Sequence, residues 1–313
     1  MQTFSQQREQ RLLACSAAVM AAVGGAGIFM GLWSGSQAIL TDGIFSAIAV
    51  VIKLLMLGTS RLIARETSVR FQFGYWQMEP LVLVAEGAFT LLVVIVAAAS
   101  GIWGLLGGGH AVDFGLAVYF ALFFEALSAS FYVYLKRENR TLRSNLVRFD
   151  NVSWYVDMML AGGLLASFAA AWALEQTPWA AWSRYADPLV MLALSLHMIR
   201  PALRILSPSF RQVLGVAPRD VHERVQRVMD ELMESCGFRD YVSSVQQYGH
   251  TKIIEIDILV DRDYPARSAA DFDAIRDRID RALGYPPHQQ WLTINFTAAR
   301  RWMARDYLLD GKS

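Results

Sequence analysis

The sequence is short of the residues that soluble scaffolds and redox sites depend on. It holds two cysteines in 313 residues, Cys15 and Cys236, with no CxxC spacing between them. No disulfide framework follows from that, and both read as packing residues, in a chain whose tail suits a reducing compartment. Charged side chains make up only 18% of the chain, less than a soluble globular protein carries. The net charge of +1 gives no footprint for nucleic acid. A Walker A string is absent, which leaves no sign of a nucleotide-driven machine or of an enzyme built around one. Histidines are few, and His222, His250 and His288 stand singly, whereas a metal site needs several ligands together.

What is there instead is apolar surface. Hydrophobic residues are 54% of the chain, and they concentrate between Leu12 and Leu206. From Pro208 onward the composition is that of an ordinary soluble domain. The shift divides the chain into residues 1–207 as a transmembrane domain, 208–300 as a soluble α+β domain and 301–313 as a C-terminal tail.

A hydrocarbon core about 30 Å thick needs about 20 apolar residues at 1.5 Å each. Six segments meet that length: Leu12 to Trp33, Gln37 to Ser60, Pro80 to Leu106, Val112 to Leu135, Val152 to Leu174 and Tyr185 to Leu206. The first is too long for a signal peptide, and another span follows almost at once. Basic residues set the orientation. Arg8 and Arg11 precede the first span; Arg61, Arg65 and Arg70 follow the second. Lys136, Arg137, Arg140, Arg143 and Arg148 follow the fourth, and Arg204 and Arg211 end the sixth. The intervening loops carry almost none. Both termini are expected in the cytoplasm of a multi-pass protein of bacterial inner-membrane type.

In the soluble part, Val221 to Ser235 has apolar residues at helical spacing, with Gly237 as its stop. Tyr241 to Gln247 and Lys252 to Val260 alternate as strands around a Gly249 turn. A second helix is expected from Ser268 to Leu283, and Trp291 to Phe296 is a third strand. Helix, strand, strand, helix, strand predicts an open α+β layer with both helices on one face.

Charges inside spans are costly and default to function. Asp42 lies just inside the second span with Ser46 four residues on, hence on the same helix face. In the fifth span Asp157, Ser153 and Asp150 share one stripe. Two carboxylates with two hydroxyls offer oxygen ligands to a divalent cation. Capping of the second helix by Asp42 is an equal reading of that residue alone. Lys53, about 12 Å in from Arg61, and Glu86, about 9 Å in from Pro80, enter from one face. They are expected to pair as a structural ion pair, because an unpaired buried charge costs several kcal/mol. Glu125 has no partner evident in the sequence and stands as a proton carrier or a cavity-facing carboxylate; Asp150 stands beside it as a second such candidate.

Three strings resemble the cation diffusion facilitators, a family of proton-coupled exporters of zinc and related divalent ions. FQFGYWQMEPL, from Phe71 to Leu81, looks like that family's H-x-F-G-Y-G-x-x-E-P-L loop, matching at Gly74, Tyr75, Glu79 and Pro80. LTDGIFS resembles the ligand stretch of its second span. RFDNVSWYVDMM resembles A-D-x-x-H-x-x-x-D, with Asp150 and Asp157 at the two Asp positions. The resemblance covers nearly the whole chain and implies six spans, cytoplasmic ends, a ferredoxin-like or metallochaperone-like tail domain and a homodimer. It implies a metal site of Asp42, Ser46, Ser153 and Asp157, in which Ser46 and Ser153 replace stronger family ligands. Zinc prefers nitrogen and sulfur, so this divergent set points toward weak zinc binding.

The function expected is proton-coupled secondary transport of a divalent cation out of the cytoplasm, with metal and protons as partners and no permanently bound cofactor. A carboxylate pair holds either metal or protons, because two like charges brought together raise one pKa unless a cation neutralises them. Two alternatives stand beside it. One is a non-transporting regulatory member of the same family. The other is a transporter of a harder ion such as manganese, iron(II) or magnesium.

Overall fold

A computed structural model describes residues 2–34, 37–64, 71–72, 74–108, 116–265 and 268–303. Several sequence features fall outside these residues: the turn at 35–36, Arg65, Arg70, Phe73, the start of the fourth span at Val112, and the tail beyond Met303. The chain forms two compact units, Met1–Phe210 and Arg211–Ser313.

The first unit consists of long helices: α1 (Gln2–Ser34), α2 (Gln37–Ile63), α3 (Met78–Leu106), α4 (Leu116–Leu142), α5 (Asn145–Glu175) and α6 (Ala186–Val213, whose last residues belong to the second unit). A short 3-10 turn, Ala180–Tyr185, leads into α6. By length and composition α1, α2, α3, α5 and α6 are apolar enough to cross a membrane. At 27 residues α4 has the length as well, about 40 Å at the helical rise. Its apolar LAVYFALFF start makes it the sixth of the set. The outward surface is what a bilayer requires: Trp33, Trp103 and Leu106 are 84%, 78% and 84% exposed.

Every helix outruns the span read from its apolar run, because helical hydrogen bonding continues into the polar, basic ends. The clearest case is the stretch from Lys136 to Asn151, expected between spans, where only Arg143 and Ser144 lie outside helix. Arg143 takes a left-handed φ of 53°. Asn139 closes the turn, accepting from the Ser144 amide at 2.8 Å and donating to its carbonyl at 3.0 Å. Ser144 caps α5 by accepting from the Val147 amide at 3.2 Å, satisfying one of the orphan donors of a helix start.

Glycines bring α1 and α2 close, backbone to backbone, at particular points. A Cβ placed on Gly31 would lie 2.5 Å from the Leu40 Cα, and one on Gly43 would lie 2.5 Å from the Ile28 amide nitrogen. Small residues permit such approach where lipid supplies no hydrophobic drive between helices. Gly87 gives α3 a similar approach to Leu206 on α6.

The second unit adds α7 (Arg219–Cys236), β1 (Asp240–Tyr248), β2 (Thr251–Leu259), α8 (Ala269–Leu283) and β3 (Gln290–Thr297). The sheet order is β1-β2-β3. β1 pairs antiparallel with β2 across the Gly249 turn, and β3 runs parallel to β2, as a crossover through α8 requires. Gly237 ends α7 with φ 69°, and Ser268 with Asp271 forms a capping box on α8. Ile254, Ile256 and Ile258 of β2 are fully buried against Val225, Met229 and Ile279 of the two helices. Tyr241 packs into that core and donates to Asp230 at 2.7 Å. Burial and that bond push its phenol above the ordinary tyrosine range.

Candidate functional site

Where α5 begins decides how deep its acids lie. With the first helical residue at Asn145, Asp150 sits more than a turn in and Asp157 more than three turns in, both well inside the helix. Asp42 is likewise interior, since α2 starts at Gln37 and has no acidic residue in its first turn. The capping role for Asp42 is thereby excluded.

Lys53 corrects the sequence reading. Its ammonium bonds the Asp150 carboxylate, both groups being buried to within 1%, so Asp150 is the counter-ion expected to be Glu86. The reason is helix register: Asp150 on α5 faces α2 directly, whereas the separation along each helix alone made Glu86 look equally placed. The Lys53 Nζ also sits 5.0 Å from the centre of the Trp154 ring, a cation–π contact. Trp154 stacks on Phe131 at 4.8 Å and donates from Nε1 to Ser16 at 2.8 Å. One buried knot thus ties α1, α2, α4 and α5.

Glu86 remains close to this knot without being its hydrogen-bonded member. It is 1% exposed, within electrostatic range of Lys53 and Asp150, and within hydrogen-bonding reach of Ser153. Asp157 has Lys53, Asp42, Glu86 and Asp150 as charged neighbours. Asp42 of α2 is thus within electrostatic range of Asp157 of α5, and Ser153 is within hydrogen-bonding reach of Glu86. Ser46 is buried, with its Cβ against Gly24 of α1. Glu125 stands apart from the group, its carboxylate over Gly162 of α5 with Oε2 lacking a hydrogen bond.

Among the described residues, no three His, Cys, Asp or Glu side chains close around a common point tightly enough to hold a metal as they stand. The acids of α2, α3 and α5 are neighbours around a shared space rather than a finished cage. His250 is exposed and His222 half-buried; the side chain of His288 is outside the described set.

Sequence reasoning missed one tie at the other end of α3. Glu79, in the GYWQMEP string, is 5% exposed and its Oε1 accepts from the Asn145 side chain at 3.1 Å. It therefore joins the first turns of α3 and α5. The buried acid directly before Pro80 was the available signal.

The family model described as the cation efflux transmembrane domain matches residues 13–214. The chain belongs to the cation efflux family. Relatives include cation-efflux pumps named FieF. That of Shigella boydii is 24% identical over 260 residues, covering 82% of this chain and 81% of the relative. The Klebsiella pneumoniae pump is 23% identical over 257 residues with the same coverage, and the Escherichia coli K12 pump 24% over 260. As a family member with multiple apolar helices, the chain is an integral, multi-pass membrane protein of metal cation efflux.

Proposed function

We propose that this cation efflux protein is a secondary transporter exchanging a divalent metal ion from the cytoplasm for protons, by alternating access around Asp42 and Asp157. The observation that supports the reading is that these two acids, carried by separate spans, lie within electrostatic range of one another. Two carboxylates in a low-dielectric setting cannot both stay bare, so each passage exchanges one neutralising cation for another. Rocking of helices between inward and outward forms draws the acids of α2 and α5 into a grip on the ion and releases it on the other side. No nucleotide and no resident cofactor enters the cycle.

Every side chain named near the ion offers oxygen, from Asp42, Asp157 and Ser153, and none offers nitrogen or sulfur. That donor set favours manganese, iron(II) or magnesium over zinc. Export is the direction that membership of the cation efflux family supports, and the basic residues at the ends of α2 and α4 favour cytoplasmic termini. The tail domain pairs with a second copy of the chain to make a homodimer.

The test is flux in liposomes loaded with a metal-sensitive dye under a pH gradient. Wild-type protein moves a divalent ion, and Asp157→Ala reduces the rate to that of empty liposomes. A second reading, a non-transporting regulatory member, draws on the packing of Ser46 against α1 and the absence of three gathered strong ligands among the described residues. It prevails if no divalent ion moves in the wild type.

A further inference from the structure

The site proposed above lacks strong ligands at Ser46 and Ser153, and α3 carries polar atoms that the packing leaves unused. Glu86 Oε1 and Thr90 Oγ1 are both buried and have no hydrogen-bond partner; the residues are 1% and 3% exposed. A buried polar atom left unsatisfied costs about 1–3 kcal/mol. Two of them, one helical turn apart on the same face, imply a third party that satisfies them. The stripe they occupy includes Leu83, Gly87 and Val94, all buried, so they face protein rather than lipid.

A structural duty as counter-ion does not account for Glu86. Lys53 already donates a hydrogen bond to Asp150, whose own Oδ2 is left without a partner. The group therefore sets four carboxylates, Asp42, Glu86, Asp150 and Asp157, against a single ammonium. Such an excess of like charge inside a membrane attracts a cation.

We propose that Glu86, assisted by Thr90, is a third-helix ligand for the transported divalent cation, replacing the donors missing from α2 and α5. The inference rests on the Asp42–Asp157 reading and deepens it. Ser153 is within hydrogen-bonding reach of Glu86, and Glu86 is among the charged neighbours of Asp157. Lys53 and Asp150 hold α2 and α5 together beside it, and the tethered ammonium offsets one charge whether or not metal is present. The three carboxylates do not close on one point as they stand; drawn in around the ion, an oxygen-rich set of this kind takes a hard ion of Mn²⁺ type.

The experiment measures Mn²⁺ and Zn²⁺ binding to the purified full-length protein in detergent by titration calorimetry, with unfolding temperature recorded for each variant. Glu86→Gln and Thr90→Val are the test variants, and Asp157→Ala is the reference for the underlying site. Glu86→Gln weakens Mn²⁺ binding by at least about tenfold with little change in unfolding temperature, and Thr90→Val weakens it by a smaller factor. Glu86→His moves the preference from Mn²⁺ toward Zn²⁺, since it adds a nitrogen donor; a purely structural role would not shift that ratio. If Glu86→Gln and Thr90→Val bind Mn²⁺ like wild type while Asp157→Ala does not, α3 supplies no ligand and the two-helix site stands without it. If Asp157→Ala also binds normally, or wild type binds neither ion, the underlying reading fails and this one with it. Should Glu86→Gln unfold, Thr90→Val decides, because it removes only a hydroxyl.

Discussion

The two units treat charge in opposite ways. In the second unit the core is built from Val225, Met229, Ile254, Ile256 and their apolar neighbours, while ion pairs such as Arg239–Asp261 stay outside, their side chains 68% and 63% exposed. In the first unit Lys53, Glu79, Glu86 and Asp150 are buried among apolar side chains such as Met56 and Trp154, while others as large, such as Trp103 and Leu106, face outward. The solvent explains the inversion. Water welcomes charge on the surface of the tail, whereas hydrocarbon drives it inward between helices. An ion pair in the tail is thus surface decoration, and one between the spans is an expensive feature that persists because it does something.

Breaking the buried pair is expected to give the largest effect. Lys53→Met leaves Asp150 without its counter-ion and destabilises the first unit by about 3–5 kcal/mol, read as a lower unfolding temperature of the detergent-solubilised protein. Combining it with Asp150→Leu recovers much of that loss, since an apolar pair of similar volume often matches a buried salt bridge.

A middle-sized effect belongs to Tyr241. Its folded pKa is raised by burial and by the bond to Asp230, so the phenol stabilises the tail while it keeps its proton. That contribution is fully present below the unfolded value of about 10 and is lost as pH rises through the folded one. Tyr241→Phe costs about 1 kcal/mol at neutral pH and flattens the alkaline loss, as measured by amide exchange in β1 and β2 of the full-length protein. The smallest effect sharpens the contrast from the other side. Arg239→Ala changes the same exchange rates by the equivalent of less than about 0.5 kcal/mol.

Much of this was legible in the sequence, for identifiable reasons. Spans are readable because twenty apolar residues have few other fates, and the α+β order because each tail element carries its own stop, such as Gly237 and Gly249. Asp42 and Asp157 stood out because an acid in an apolar run is conspicuous. What was not legible depended on the rotation of one helix against another. The sequence places Lys53 and Glu86 at similar depth, yet only the packed helices turn Asp150 toward the ammonium. Thr90 drew no notice, since a threonine in a span commonly bonds its own helix; only its unpaired hydroxyl sets it apart. Helix ends were underestimated for a simpler reason, as hydropathy reports where lipid stops and not where the helix does.

The glycine contact between α1 and α2 bears on how the machine moves. With Gly31 against Leu40 and Gly43 against Ile28, the two backbones meet closely at these points. A displacement of Asp42 therefore presses through Gly43, its immediate neighbour, on α1 at Ile28. That helix ends in the Arg8–Glu138 clasp to α4, at 2.6 Å, which turns a shift near the ion into a pull on a surface handle far from it.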